Sequence, residues 1–161
     1  MSVRALLFAG LAALAACSPM AADAGQKAAA GAPSRHPASG LEVVPLTIAS
    51  ANGRRSFRVE VARSGEEQAK GLMFRTAMGA NEGMIFPMEP ARQASFWMKN
   101  TVIPLDLVFI GPDKRIESIA ANAVPYSLSP IGSKGTVSAV LELNGGRAAQ
   151  LGLAPGDMIG W

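Results

Sequence analysis

Residues Ser56-Phe57-Arg58-Val59-Glu60-Val61 alternate strictly between apolar and polar, with Phe57, Val59 and Val61 in one row and Arg58 and Glu60 in the other. Side chains on a strand alternate between faces with period two, so this run is a half-buried strand and does not fit a helix. Ahead of it, Asn52-Gly53 is a strong turn signal, because both residues tolerate positive φ. The stretch Leu41–Ile48 before the turn is rich in β-branched residues, although Pro45 lacks an N–H and makes this strand an edge or a bulged one. The folded part therefore opens with a β-hairpin.

The same texture continues to the end of the chain. Ser64-Gly65-Glu66-Glu67 is a capping box, with Ser64 as N-cap and Glu67 three residues on, and Gly71 stops that helix after about two turns. Further strands are predicted at Gly83–Met88, Ala94–Lys99, Leu105–Ile110, Arg115–Ala120 and Thr136–Leu143. Gly111-Pro112-Asp113-Lys114 reads as a tight turn and residues 122–135 as a longer loop. A short helix over Gly146–Gly152 and a last strand over Met158–Trp161 complete the reading. Many short strands with Gly/Pro punctuation predict a mostly β, compact, β-sandwich or jelly-roll-like single domain with short helices over residues 41–161. No repeat of 20–50 residues is present, which excludes a repeat array.

The N-terminal part has another character. One charge, Arg4, precedes a 12-residue apolar run from Ala5 to Ala16. A spanning helix needs about 20 apolar residues, whereas a short run behind a positive start and ending in small residues is a secretory signal. Residues 1–16 are thus expected to be removed. Leu14-Ala15-Ala16-Cys17 resembles the bacterial lipoprotein signal, in which the Cys thiol receives a diacylglycerol and the freed amine usually a further acyl chain. Cys17 is the only cysteine, and acylation accounts for a thiol that would otherwise stand alone in an oxidising compartment. Ser18, in place of Asp, resembles the pattern of lipoproteins sent to an outer membrane. The expected location is the cell envelope, facing the periplasm, with the membrane as a partner through the lipid anchor. Residues 17–40 follow as a disordered tether, since 17 of the 23 residues from 18 to 40 are Ala, Gly, Pro or Ser. The single histidine, His36, is expected to be solvated there, which excludes catalysis by histidine.

Charge and composition narrow the function classes. Lys and Arg total 15 and Asp and Glu 12, falling to 14 and 12 once Arg4 is lost with the leader. Without a clustered basic surplus, no nucleic-acid partner is expected. One Cys excludes an internal disulfide and a multi-Cys zinc site, and with one His little is left for zinc or a Ser-His-Asp triad. No cofactor and no metal site are expected. Six methionines lie in the domain (Met73, Met78, Met84, Met88, Met98 and Met158); thioethers can bind Cu(I), but most sit in apolar runs and read as core, leaving only Met78 and Met88 beside loops. Arg54-Arg55 with Arg58 reads as a solvated hairpin tip.

Four blocks occur in order: Gly71-Leu72-Met73-Phe74-Arg75, Gly83-Met84-Ile85-Phe86, Phe96-Trp97-Met98-Lys99-Asn100-Thr101 and Pro104-Leu105-Asp106-Leu107-Val108-Phe109. Val140-Leu141-Glu142-Leu143 with Gly145-Gly146, and then Gly156-Asp157, follow. This series resembles the DUF192 family, a bacterial and archaeal domain of unknown function, over essentially the whole folded part. The resemblance implies a single β-rich domain and no particular reaction.

Function must therefore be weighed on the residues. Arg75, Lys99, Asn100, Asp106 and Glu142 are polar groups set in apolar surroundings, and Trp97 shares a strand face with Lys99. Converging on one concave face, they suit a small polar ligand: a carboxylate or phosphate on Arg75 and Lys99, hydroxyls on Asp106 and Glu142, a flat ring on Trp97. The competing reading pairs Arg75 with Asp106 or Glu142 as a fold-holding ion pair and leaves Asn100-Thr101 as a turn before Pro104. The expectation is a lipid-anchored, non-catalytic module that binds a small polar ligand, a glycan or an envelope partner. Two alternatives stay open. One is an envelope-acting hydrolase with Asp106 and Glu142 as acid and base, about 5–9.5 Å apart; the other is an accessory protein without a small ligand.

Overall fold

The computed structural model describes residues 34–161. The expected hairpin is formed by β2 (Glu42–Ser50) and β3 (Gly53–Val61), with Ser50 opposite Gly53 and Val43 opposite Glu60. Ala51-Asn52 makes the loop, and Gly53 follows at φ +100°. The other edge of β2 is shared by β1 (Ser34–Arg35), which pairs at residues 42–43, and β10 (Met158–Gly160), which pairs at 47–49. Pro45 falls in the gap between them, where that edge of β2 has no neighbour to bond.

Helix α1 (Gly65–Lys70) starts on the capping box: Glu67 N–H donates to Ser64 Oγ at 3.2 Å and Ser64 N–H to Glu67 Oε2 at 2.8 Å. Gly71 ends it, and a Cβ there would lie 3.4 Å from the Phe86 ring. The helix carries the chain across so that β4 (Glu82–Arg92) runs parallel to β3. Then β9 (Val137–Asn144), β6 (Leu105–Ile110) and β7 (Ile116–Ala123) add antiparallel, giving the order β1-β2-β3-β4-β9-β6-β7. The strand expected over 94–99 contracts to β5 (Ser95–Phe96), because the chain turns at Asn100 with φ 55°. Its partner β8 (Ile131–Gly132) lies inside the stretch expected to be loop. Helix α2 (Arg147–Leu151) follows β9.

The two ends of the eight-stranded sheet meet at β10. While pairing with β2, it bridges through Met158 to Arg115, and Ile159 N–H donates to the Lys114 carbonyl at 2.8 Å. The sheet therefore curls back on itself, which satisfies edges that would otherwise be exposed. Inside the curl, Leu46, Ile48, Phe57, Val59, Ile85, Val108, Leu141 and Ile159 form one core. On the outer face, Leu72, Met84, Phe86, Met98, Leu107 and Val140 form a second. Phe86 meets Phe96 edge-on there, with ring centroids 5.1 Å apart. The mostly β, single-domain expectation is met. Met84, Met88 and Met98 are core residues; Met88, expected at a loop edge, is buried because its strand continues to Arg92.

The ordered body begins before Leu41. Residues 34–40, expected to belong to the tether, pair with β2 and turn back over Glu60. The leader, Cys17 and the rest of the tether lie outside the described residues.

Candidate functional site

Strand register sets the site's geometry. On the outer face, Glu60 of β3 is opposite Met84 of β4, Met84 is opposite Glu142 of β9, and Glu142 is opposite Leu107 of β6. Two carboxyl groups thus share one row across the sheet, two strand spacings or roughly 10 Å apart. The segment after α1, residues 71–75, lies over this row and treats the two acids differently.

Arg75 takes Glu60. Its guanidinium donates two hydrogen bonds to the carboxylate, 2.9 Å to Oε1 and 3.1 Å to Oε2. Ser39 Oγ donates to the same carboxylate, and His36 Nδ1 stands 3.7 Å from it. The expected partners of Arg75, Asp106 and Glu142, are therefore replaced by Glu60, and His36 is half-buried in a network instead of solvated. Alternation placed Glu60 on the polar face of its strand, but one strand's pattern does not reveal what covers that face.

Asp106 is removed from the site altogether. It lies between Leu105 and Leu107 on β6 and points to the inner face, opposite Leu143, whereas Glu142 points outward. With no exposed surface, its carboxylate accepts from the backbone N–H groups of Asn122 (2.8 Å), Gly146 (2.9 Å) and Ala148 (2.7 Å). It caps α2 from a neighbouring strand and ties β6, β7 and α2 together. The acid–base pair of Asp106 and Glu142 is excluded by this placement, because the sheet separates them.

Glu142 is the group left unpaired. It is 5% exposed, flanked in register by Met84 and Leu107, and makes no hydrogen bond to any described side chain or backbone group. Burial alone pushes its carboxyl from the ordinary 4.5 to about 8, so at neutral pH it carries a proton. It lines a cleft of about 390 Å³ together with Leu72, Met73, Phe86, Trp97, Lys99 and Thr101. Lys70 and Arg92 are exposed at its edge; sequence reasoning missed both, since neither sits in an unusual pattern.

Trp97 and Lys99 line the same cleft as Glu142. Trp97 is half-exposed, and the Lys99 ammonium lies 5.1 Å from its ring centroid. Asn100 plays a supporting part: its carbonyl accepts from Phe74 N–H at 2.8 Å and its amide lies 3.8 Å from Met73 Sδ, which locks the 98–101 turn to the 71–75 segment. Of the six candidate side chains, three (Trp97, Lys99 and Glu142) share the cleft. Arg75 borders a neighbouring hollow of about 710 Å³ instead.

The profile named DUF192, described as "Uncharacterized ACR", matches residues 47–161. The chain belongs to the DUF192 family. Two solved structures extend the likeness to the whole DUF192 fold. A protein of unknown function from Novosphingobium aromaticivorans is 57% identical, with a TM-score of 0.80 over 82% of this chain and 94% of that one. A candidate transcription regulator from Sinorhizobium meliloti is 38% identical, with a TM-score of 0.72 over 74% of this chain and 94% of that one. No curated protein matches the chain. For this DUF192 domain the site itself must supply the chemistry: a neutral acid that can donate or accept a hydrogen bond, an aromatic wall, and three cations at the opening.

Proposed function

We propose that this protein is an exported, lipid-anchored DUF192 domain that binds a small acidic ligand of sugar size, free or within a glycan, and performs no chemistry on it. The observation that carries the reading is Glu142, a buried carboxyl without a protein partner facing a cleft ringed by Lys70, Arg92 and Lys99. Its carboxyl opens onto the cleft, where a ligand hydroxyl or amide can hydrogen-bond to it. The three cations suit a carboxylate or phosphate, and Trp97 offers a face for a ring. One acid in the cleft, without a second carboxylate or a nucleophile–base pair beside it, favours binding over hydrolysis. The anchoring half of the proposal rests on Arg4, the run Ala5–Ala16 and Leu14-Ala15-Ala16-Cys17, which support an envelope protein facing the periplasm, and on Ser18, which supports the outer membrane.

A thermal-shift screen against acidic sugars, sugar phosphates and small carboxylates tests the binding half. A ligand at 100 times its Kd contributes about 2.7 kcal/mol, a readily measured rise in Tm. The rise is expected to vanish in Trp97→Ala and to shrink in Lys99→Gln. A panel without any stabiliser, or a stabiliser indifferent to both substitutions, defeats the reading. Mass spectrometry of the processed chain tests the anchor: the expected N-terminus is acylated Cys17, and a free thiol there refutes it.

A further inference from the structure

Seven large apolar side chains are exposed among the described residues, and five of them (Phe74, Trp97, Val124, Tyr126 and Leu128) lie on three segments that are stitched together. Phe74 N–H donates to the Asn100 carbonyl at 2.8 Å, Met98 N–H to the Ser127 carbonyl at 2.9 Å, and Tyr126 N–H to the Thr101 carbonyl at 3.2 Å. Trp97 and Leu128 line one shallow hollow with Phe96 and Pro130. The five form one patch at one end of the sheet.

Two of these residues are held out at a cost. Phe74 and Tyr126 have φ of 63° and 62°, a region that bulky L-residues avoid. Strain of this kind persists where the surroundings enforce it and function uses it. Here it holds two aromatic rings in solvent, where they gain no burial. Residues 71–76, 93–104 and 122–132 contain no Asp or Glu, and Lys99 is exposed among them. Glu66 and Glu67 line the hollow beside Phe74, and the buried Glu142 lines the cleft beside Trp97.

We propose that this end of the domain, with Phe74, Trp97, Val124, Tyr126 and Leu128 as its inserting side chains and Lys99 as its cation, seats on an anionic phospholipid bilayer. Separate aromatic and leucine tips with a lysine among them match the bilayer interface, where ring bodies enter the acyl boundary and an ammonium group stays with the headgroups. The chain's own course favours the same occupant. His36, two residues after Ser34, lies 3.4 Å from the guanidinium of Arg75, the neighbour of Phe74, so the N-terminal segment joins the body beside the patch. Sixteen residues lie between Cys17 and Ser34, a reach of at most roughly 60 Å. The mouth of the Glu142 cleft, which shares Trp97 and Lys99, would then face the headgroups.

The test uses the chain from Cys17 onward, produced without its leader so that the thiol carries no lipid. Vesicles are made of phosphatidylethanolamine with or without phosphatidylglycerol, with acyl chains brominated for quenching. In Trp161→Phe, Trp97 is the sole tryptophan, and its emission is expected to shift to the blue and be quenched on anionic vesicles. In Trp97→Phe the reporter is Trp161, which stacks on Lys114 at the β10 end and is expected to be unaffected. Phe74→Ser with Leu128→Ser is expected to weaken sedimentation with vesicles on the order of tenfold or more at unchanged Tm, and Lys99→Gln roughly fivefold on anionic vesicles only. Absence of binding to both kinds of vesicle overturns the proposal and leaves the patch to a protein partner; quenching at Trp161 in place of Trp97 overturns it too. The assay needs neither acylation nor a cleft ligand, so its failure is separable from the failure of either half of the proposed function.

Discussion

Replacing Glu142 with glutamine is expected to make the protein more stable at neutral and alkaline pH, although it removes an ionisable group from a candidate site. Burial raises the carboxyl from 4.5 in the unfolded chain to about 8 in the fold. The folded state therefore holds this proton more tightly. Below pH 4.5 both states are protonated and the full stability is present; as pH climbs from 4.5 to about 8 the unfolded chain ionises first and stability declines. At about 1.4 kcal/mol per pH unit the decline totals roughly 5 kcal/mol, of which roughly 3 kcal/mol is already lost at pH 7. Glutamine has nearly the same shape and never ionises, so Glu142→Gln escapes the decline and gains up to roughly 3 kcal/mol at pH 7. For a domain of this size that is a rise of about 6–12 °C in Tm. Urea unfolding of both proteins at pH 5 and pH 8 isolates the effect, because all other titrations cancel in the difference. If that difference changes by less than about 1 kcal/mol between the two pH values, the carboxyl has a partner or is solvated, and the account of the cleft fails.

Asp106→Asn should act in the opposite direction. Its amide would set a donor against a backbone N–H that now donates to a carboxylate, and loss of the charge-assisted bond with an unsatisfied buried N–H costs about 3–5 kcal/mol. Chemical denaturation reads the loss, and hydrogen exchange at Gly146 and Ala148 should rise with it; a variant within about 1 kcal/mol of the parent would contradict the capping role. Arg75→Met leaves Glu60 buried without its cation and should cost about 3–5 kcal/mol, while Arg75→Met with Glu60→Leu should recover much of that. A double variant no better than the single one would show that the pair is not coupled. Ser64→Ala, which removes one half of the capping box, should lower stability by about 1 kcal/mol without altering ligand or vesicle binding; an unchanged urea midpoint would mean that α1 does not depend on its cap.

The local features were legible in the sequence because short-range rules govern them. The hairpin, the Ser64–Glu67 capping box, the helix after Gly146 and the strand that carries Glu142 each follow from spacing within about ten residues. The strand expected over 94–99 misled because Asn100 takes a left-handed turn, held there by its carbonyl bond to Phe74. Residues 34–40 read as tether because Ser34, His36 and Ser39 gain their partners from β3 and from Arg75, more than ten residues away.

The choice of partner for each charged side chain lay beyond the sequence. Arg58, Glu60, Asp106 and Glu142 are all polar residues in apolar strands, and nothing in their immediate neighbours separates them. Alternation puts Asp106 and Glu142 on some face of their strands, but only the β6–β9 register puts them on opposite faces of one sheet. Likewise, only the path of residues 71–75 over β3, β4 and β9 gives Arg75 to Glu60 and leaves Glu142 alone. Backbone periodicity acts along the chain and is written in it, whereas desolvation and pairing depend on what the folded chain lays across each face, and that is where this protein's chemistry was decided.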